Sequence, residues 1–435
     1  MIFKNQFYKQ IYNIFTLKGA FQIIDLLFKY LVLKMLSIED LGIFLYVCST
    51  VYFLSNTSVM GAYVYLQRQV ARQEVINARY LISILIFLVL SSLIAVKVLP
   101  SQTTSLKPYF VLIIVCNSII TLINAIGNGA GHYDNRYKIL LISSIYMVLL
   151  IIYMLYVKTN YNLNFIFYGW IVNTFIAAVY AGLMLFSIRL KFNLSKISNI
   201  GFSTIILNLV LIYSVSMPYD FAKFYDRYLL SHYFSSGLLG LYTFNFSIIM
   251  AAFSFLVMPV ISICLSALSK AQNDINVQAK IMLRYLMYIL CVFVVIFIGY
   301  VPFTKYWLTL LGLNKYIGTT STFIFVLIYM FLYSIAIPFI ITISISNGHM
   351  IKIKYCLTSL LVFIIPLIFI KINHNFNIFL YGFLVAYFLH SMMAILFNYN
   401  SLRGLFYCMV GELMQILRSG PTGIRSLLTI SKIGM

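Results

Sequence analysis

The sequence predicts an all-α, polytopic membrane protein with about twelve transmembrane helices. Three observations carry that expectation: the apolar excess, the spacing of the long apolar runs, and the placement of the basic residues. Hydrophobic residues make up 63% of the 435-residue chain and charged residues only 9%, against roughly 25% charged in soluble domains. Mean hydropathy is +0.98. A net charge of +21 would suggest nucleic acid in a soluble chain, but here the basic residues fall in short clusters between apolar runs. That is the pattern of positive-inside topology, so no nucleic acid partner is expected.

Runs of about 20 apolar residues are long enough to cross a bilayer. Twelve occur in order: 17–37, 41–66, 80–99, 109–127, 139–157, 165–188, 203–232, 239–265, 283–303, 319–346, 353–370 and 377–397. Helices are the economical form, because backbone groups in lipid must be satisfied within the segment. The basic, then apolar N-terminus resembles a signal peptide. Lys18, Asp25 and Lys29 interrupt it and no small-residue cleavage site follows, so it reads as an uncleaved first helix. Alternate connections sort 20 of the 30 Lys and Arg onto one side and 7 onto the other. The bias places both termini in the cytoplasm. Prolines 218, 259, 338 and 366 fall inside spans and predict kinks.

The six cysteines lie far apart, with no CxxC and no Cys/His spacing suited to a metal. The five histidines are scattered too, and His390, in an apolar run, reads as a packing residue.

The chain repeats itself. KYLVLKMLSIEDLGIF (29–44) aligns with RYLLSHYFSSGLLGLY (227–242) at an offset of 198; GHYDNRYK (131–138) aligns with GHMIKIKY (348–355), and NLNFIFYGWIV (162–172) with NFNIFLYGFLV (375–385). The matches keep their order and shift by six spans, an even number, so both copies insert with the same orientation. Two six-helix bundles follow, related by a parallel pseudo-twofold repeat. The implied domains are 1–199 and 200–397, followed by a basic cytoplasmic tail over 398–435 whose GLFYCMVGELMQIL (404–417) reads as a basic amphipathic helix on the membrane surface.

With these features in hand, the sequence resembles the polysaccharide-transporter (O-antigen flippase) family of the multidrug/oligosaccharidyl-lipid/polysaccharide exporter superfamily. The motifs are LGIF (41–44) and LGLY (239–242) opening spans 2 and 8, Asp226-Arg227 in span 7, and Gly-His-x-x-Asn-Arg-Tyr after span 4. Gly237 departs from the acidic residues common before the second Leu-Gly motif, whereas Glu39-Asp40 keep them before the first. The resemblance implies a bacterial inner-membrane flippase moving undecaprenyl-diphosphate-linked sugar units to the periplasmic face. Its partners would be the lipid-linked oligosaccharide, membrane lipid and polysaccharide assembly proteins, with no cofactor beyond an H+ or Na+ coupling ion.

Buried charge marks the candidate site. A charge at mid-membrane costs roughly 2.5–3.5 kcal/mol on insertion scales, yet span 7 carries Asp220, Lys223, Asp226 and Arg227. At 100° per residue all four fall within an arc of about 120°. Span 1 carries Asp25 and Lys29 at i, i+4. Lys29, Lys223 and Arg227 are the candidate contacts for a diphosphate; Asp25, Asp220 and Asp226 are candidates for ion coupling or for pairing with those bases. Against this stands a snorkelling role for Arg227, which lies near the end of its span.

Two rival functions remain open. A cation-coupled drug antiporter would favour more carboxylate than amine, whereas here three acids match three bases. An O-antigen polymerase-type enzyme would expose catalytic groups on a periplasmic loop, and TKYWLTLLGLNKYIG (304–318) has neither carboxylate nor histidine. Transport without covalent chemistry is the expectation.

Overall fold

The computed structural model describes residues 19–99, 105–129, 135–157, 163–187, 202–398 and 410–411, less 22, 60, 64, 65, 67–69, 71–77, 258, 259, 262, 263, 265–267, 269–273, 346 and 347. The loop 131–134, the linker 188–201, Pro259 and nearly all of the basic tail therefore lie outside the described residues.

Every described segment of regular structure is helical. In chain order the helices are α1 (23–35), α2 (Ile38–Val59), α3 (Ala78–Val98), α4 (Lys107–Gly129), α5 (Asn135–Val157), α6 (Leu163–Ser187), α7 (Phe202–Ser214), α8 (Met217–Tyr233) and α9 (Ser236–Leu256). They continue with α10 (Ile275–Tyr300), α11 (Thr304–Leu310), α12 (Thr320–Ile345), α13 (His349–Val362), α14 (Ile365–Ile372) and α15 (Phe376–Leu396). Among the described residues nine helices are long and apolar enough to cross a membrane, and the bent α7–α8 pair makes a tenth. α1 and the shorter apolar stretch Ile82–Val98 of α3 lie where the other two spans are expected. The protein is a multi-pass, all-helical membrane protein.

The expected single helix over 203–232 is instead two helices bent by 62°. Pro218 explains the break. Its ring would collide with the carbonyl four residues back, at Ser214, where α7 ends. Pro366 likewise opens α14 just after α13 stops, while Pro338 stays inside α12.

The chain divides into two compact units, Met1–Tyr213 with Tyr219–Gly240 and Ser214–Pro218 with Leu241–Met435. In the first unit α2 is the hub. It meets α3 through the Tyr46 hydroxyl donating to the Val98 carbonyl (3.1 Å), and α4 through Ser58 and Ser118 hydroxyls 2.6 Å apart. Phe44 packs on Phe167 of α6 at 5.4 Å, and Phe110 of α4 joins them. Small and polar residues face inward on α3 (Ser83, Ser91, Ala95), while Ile82, Leu85, Val89 and Leu93 face outward at helical spacing. This inverts soluble amphipathicity, since in lipid close packing and hydrogen bonds hold helices together.

In the second unit Tyr329 of α12 stacks on Tyr387 of α15 at 4.4 Å, and Ser391 donates to the Leu332 carbonyl. The 301–319 connection is anchored by Tyr316, fully buried and stacked on Phe244 at 3.8 Å. That burial pushes the Tyr316 phenol pKa up.

Candidate functional site

Four of the six candidate charges sit on α8 where it lies along α2, within the first unit. Phe53 of α2 stacks on Phe224 (4.9 Å) and meets Phe221 edge-on (6.2 Å). Tyr213, at the end of α7, holds its hydroxyl 3.0 Å from that of Thr57, and Tyr46 hydrogen-bonds Ser231 near the far end of α8. Such a stack of aromatic and hydroxyl contacts fixes the rotation of α8, and with it the direction of its charges.

Asp220 sits in the first turn of α8, where the helix dipole favours an anion. The Asn56 side chain hydrogen-bonds it, and Lys223 is its nearest cation. The Lys223 ammonium also lies 3.7 Å from the centre of the Tyr219 ring, a cation–π contact. Asp226 is fully buried and Arg227 nearly so. The Asp226 carboxylate accepts from the Arg227 backbone N–H (2.6 Å) and guanidinium (3.3 Å), and the guanidinium also donates to the Lys223 carbonyl. On α1, Lys29 and Asp25 form a 2.6 Å ion pair whose side chains are 49% and 28% exposed. Lys29 and Arg227 are both within electrostatic range of the Cys48 thiol of α2. Each candidate base therefore has a candidate acid beside it, and all six lie in one compact unit.

The sequence pattern did not single out Asn56, Phe53 or Cys48. Asn56 left a readable signal, a side-chain amide inside an apolar helix. Phe53 left none, because aromatic residues fill every span.

The two motif copies meet directly. Ser37 and Ser235 cap α2 and α9 by the same bond, their hydroxyls accepting from Asp40 N–H (3.0 Å) and Leu238 N–H (3.4 Å). A Cβ on Gly42 would lie 2.7 Å from the Ser236 carbonyl oxygen, and one on Gly240 would lie 1.9 Å from that of Ile38. At the 198 offset Gly42 matches Gly240 and Ile38 matches Ser236. Residue i meets j′ and j meets i′, the reciprocal contact that a local two-fold relation produces. The Leu-Gly motifs are thus needed for a helix crossing too close for any Cβ. The Glu39 carboxylate reaches across toward Gly237, at 3.5 Å from a Cβ there. A side chain at 237 as acidic as Glu39 would face like charge.

Two solved structures share this architecture. One, the inward-facing conformation of a multidrug resistance MATE family transporter of the MOP superfamily, matches at TM-score 0.64 and 13% identity, over 89% of this chain and 96% of that one. The other, lipid II flippase MurJ in an inward closed conformation, matches at TM-score 0.57 and 14% identity, over 93% of this chain and 92% of that one. This chain shares the fold of those two proteins. No protein-family model and no curated protein matches the sequence.

Proposed function

We propose that this chain is a flippase that carries an undecaprenyl-diphosphate-linked oligosaccharide, an O-antigen or similar repeat unit, from the cytoplasmic to the periplasmic face of a bacterial inner membrane. The observation that carries the reading is a cation-bearing helix, α8, held in fixed rotation in the fold of a lipid II flippase. Lys29, Lys223 and Arg227 attract the diphosphate, and the prenyl tail stays in lipid. Asp25, Asp220 and Asp226 hold those bases in place until the substrate competes for them. No bond is made or broken; two conformations of the protein bind and release the same lipid.

The likeness to a multidrug transporter favours a second reading, a cation-coupled drug antiporter. A cationic drug would have to displace a resident base from its carboxylate, which the observed pairing opposes.

Cells lacking the chain should accumulate undecaprenyl-diphosphate-linked sugars on the cytoplasmic face. Unchanged lipid-linked sugars together with lost dye efflux would select the antiporter. Reporter fusions after residues 102, 160 and 372 should read periplasmic, and those after 73, 194 and 273 cytoplasmic.

A further inference from the structure

The second unit buries polar groups by a different rule. None of its helices α9–α15 contains Asp or Glu. Of the three histidines in this unit only His390 lies deep in a long helix; His349 opens α13 and His374 lies between α14 and α15. His390 is 1% exposed. Its Nε2 faces the Tyr355 hydroxyl of α13 at 3.4 Å, and the buried Ser359 lies one turn further on. The Tyr355 and Phe363 rings lie 5.8 and 5.7 Å from the imidazole centre.

Nδ1 of His390 is buried and has no hydrogen-bond partner. A buried polar atom in that position calls for a reason, because desolvation without a partner is costly. The surroundings narrow the reasons. α13 brings Tyr355, with Cys356 beside it and Lys352 one turn before; α15 brings Tyr387 and Ser391; α12 brings Tyr329 against Tyr387. No carboxylate comes from any of them. An imidazolium carries a proton on both ring nitrogens, so its Nδ1–H would have neither an anion nor an acceptor in this conformation. Taking up the second proton has to be tied to a movement that supplies an acceptor. In the first unit, by contrast, every membrane-embedded candidate acid already sits with a base.

We propose that His390 is a proton-binding site, and that uptake of a second proton by its imidazole is linked to a shift of α13 against α15. The inference rests on the transport reading only in taking this linkage as the coupling step; proton binding itself needs no substrate. Imidazole is the side chain whose charge can change between about pH 5 and 8, the range over which a membrane proton gradient acts. A site that binds the proton in one conformation and releases it in the other converts the gradient into a conformational bias.

The test uses the full chain in lipid nanodiscs with His132, His232, His349 and His374 replaced by Gln, leaving one histidine for 15N labelling. Lowering the pH from 8 to 5 should convert the two well-separated nitrogen lines of a neutral imidazole into the close pair of an imidazolium. Spin labels on the outward Leu357 and Phe388, in a background without natural cysteines, should change separation with the same midpoint. The change should vanish in His390→Gln. Neutral-imidazole lines down to the pH of unfolding would overturn the proposal, as would a pH-dependent separation that persists in His390→Gln. The nitrogen spectrum needs no substitution at 390, so a poorly folding variant leaves the test intact. Titration of His390 in a protein whose loss leaves lipid-linked sugars unchanged would sink the flippase reading and keep the proton site.

Discussion

The two copies of the Leu-Gly motif share a backbone and differ in electrostatics. Both open a helix with a serine cap and both cross at a glycine. Yet the basic residue that begins each copy has a different fate. Lys29 is half exposed and pairs across a helical turn with Asp25, whereas Arg227 is buried and pairs with the adjacent Asp226. Geometry has been kept in duplicate while charge has been allowed to diverge. The helix crossing is therefore the structural constraint that both copies share.

Breaking the shared geometry should have the largest effect. Gly240→Ala places a methyl group 1.9 Å from a backbone oxygen, which no rotamer can relieve. Overpacking of this kind costs about 1–3 kcal/mol and more where backbone must move. We expect Gly240→Ala to abolish monodisperse folded protein in detergent, and Gly42→Ala, at 2.7 Å, to lower the melting temperature without abolishing folding. Gly237→Ala, with its nearest neighbour at 3.5 Å, should be neutral. Equal behaviour of all three on size exclusion and thermal melting would refute a specific crossing at 42 and 240.

The second effect sharpens the difference in charge. Arg227→Gln leaves Asp226 buried with its partner gone, and breaking one side of a buried pair costs about 3–5 kcal/mol. Arg227→Lys keeps the charge but not the planar fork, so it should retain partial stability and partial flipping. Asp226→Asn should be milder than Arg227→Gln if the guanidinium also serves the substrate, and equally damaging if the pair only ties α8 in place. Folded yield measured beside lipid-linked sugar turnover separates the two.

The caps come third. Ser37→Ala and Ser235→Ala each remove one hydroxyl acceptor from an exposed helix start, worth about 1 kcal/mol. The duplicated geometry predicts the same small drop in melting temperature for both. A drop at one serine only would show that the copies are alike in sequence and not in load.

Much of this was legible in the sequence because lipid leaves few choices. The apolar runs are helical over their described residues, since no other form satisfies a backbone there. The 198 offset aligned the two Leu-Gly motifs and with them Gly42 and Gly240, whereas the matching serine caps emerge only from the structure. The break in span 7 was only half legible: Pro218 signalled a bend, but apolarity alone ran straight through Ser214. Asp220 consequently read as mid-span when it stands in a first turn. The pairing of each acid with a base was readable for Asp25 and Lys29 from i, i+4 spacing. For Asp226 the acceptor contact is with the very next residue, a spacing that helical-face arguments pass over. The reciprocal glycine contact and the grip of α2 on α8 depend on tertiary packing, and no periodicity encodes which helix lies alongside which.

The smallest expected effect on stability is also the sharpest test of the charges. Lys29 and Asp25 form a 2.6 Å pair, but the Lys29 side chain is half exposed, so screening leaves the pair worth less than about 1 kcal/mol. Lys29→Gln should therefore insert, fold and melt like the parent protein. If the lysine serves the fold alone, flipping should be unchanged as well. If it meets the substrate diphosphate, turnover of lipid-linked sugar should fall severalfold at unchanged abundance, and Lys29→Arg should restore most of it because charge is retained. Asp25→Asn supplies the control, for it frees the ammonium without removing it and should leave turnover at or above the parent level. Normal turnover in Lys29→Gln would remove Lys29 from the site and leave Lys223 and Arg227 to carry it. Normal turnover in the Lys29→Gln/Arg227→Gln double variant, at parent abundance, would end the case for a diphosphate site on these helices.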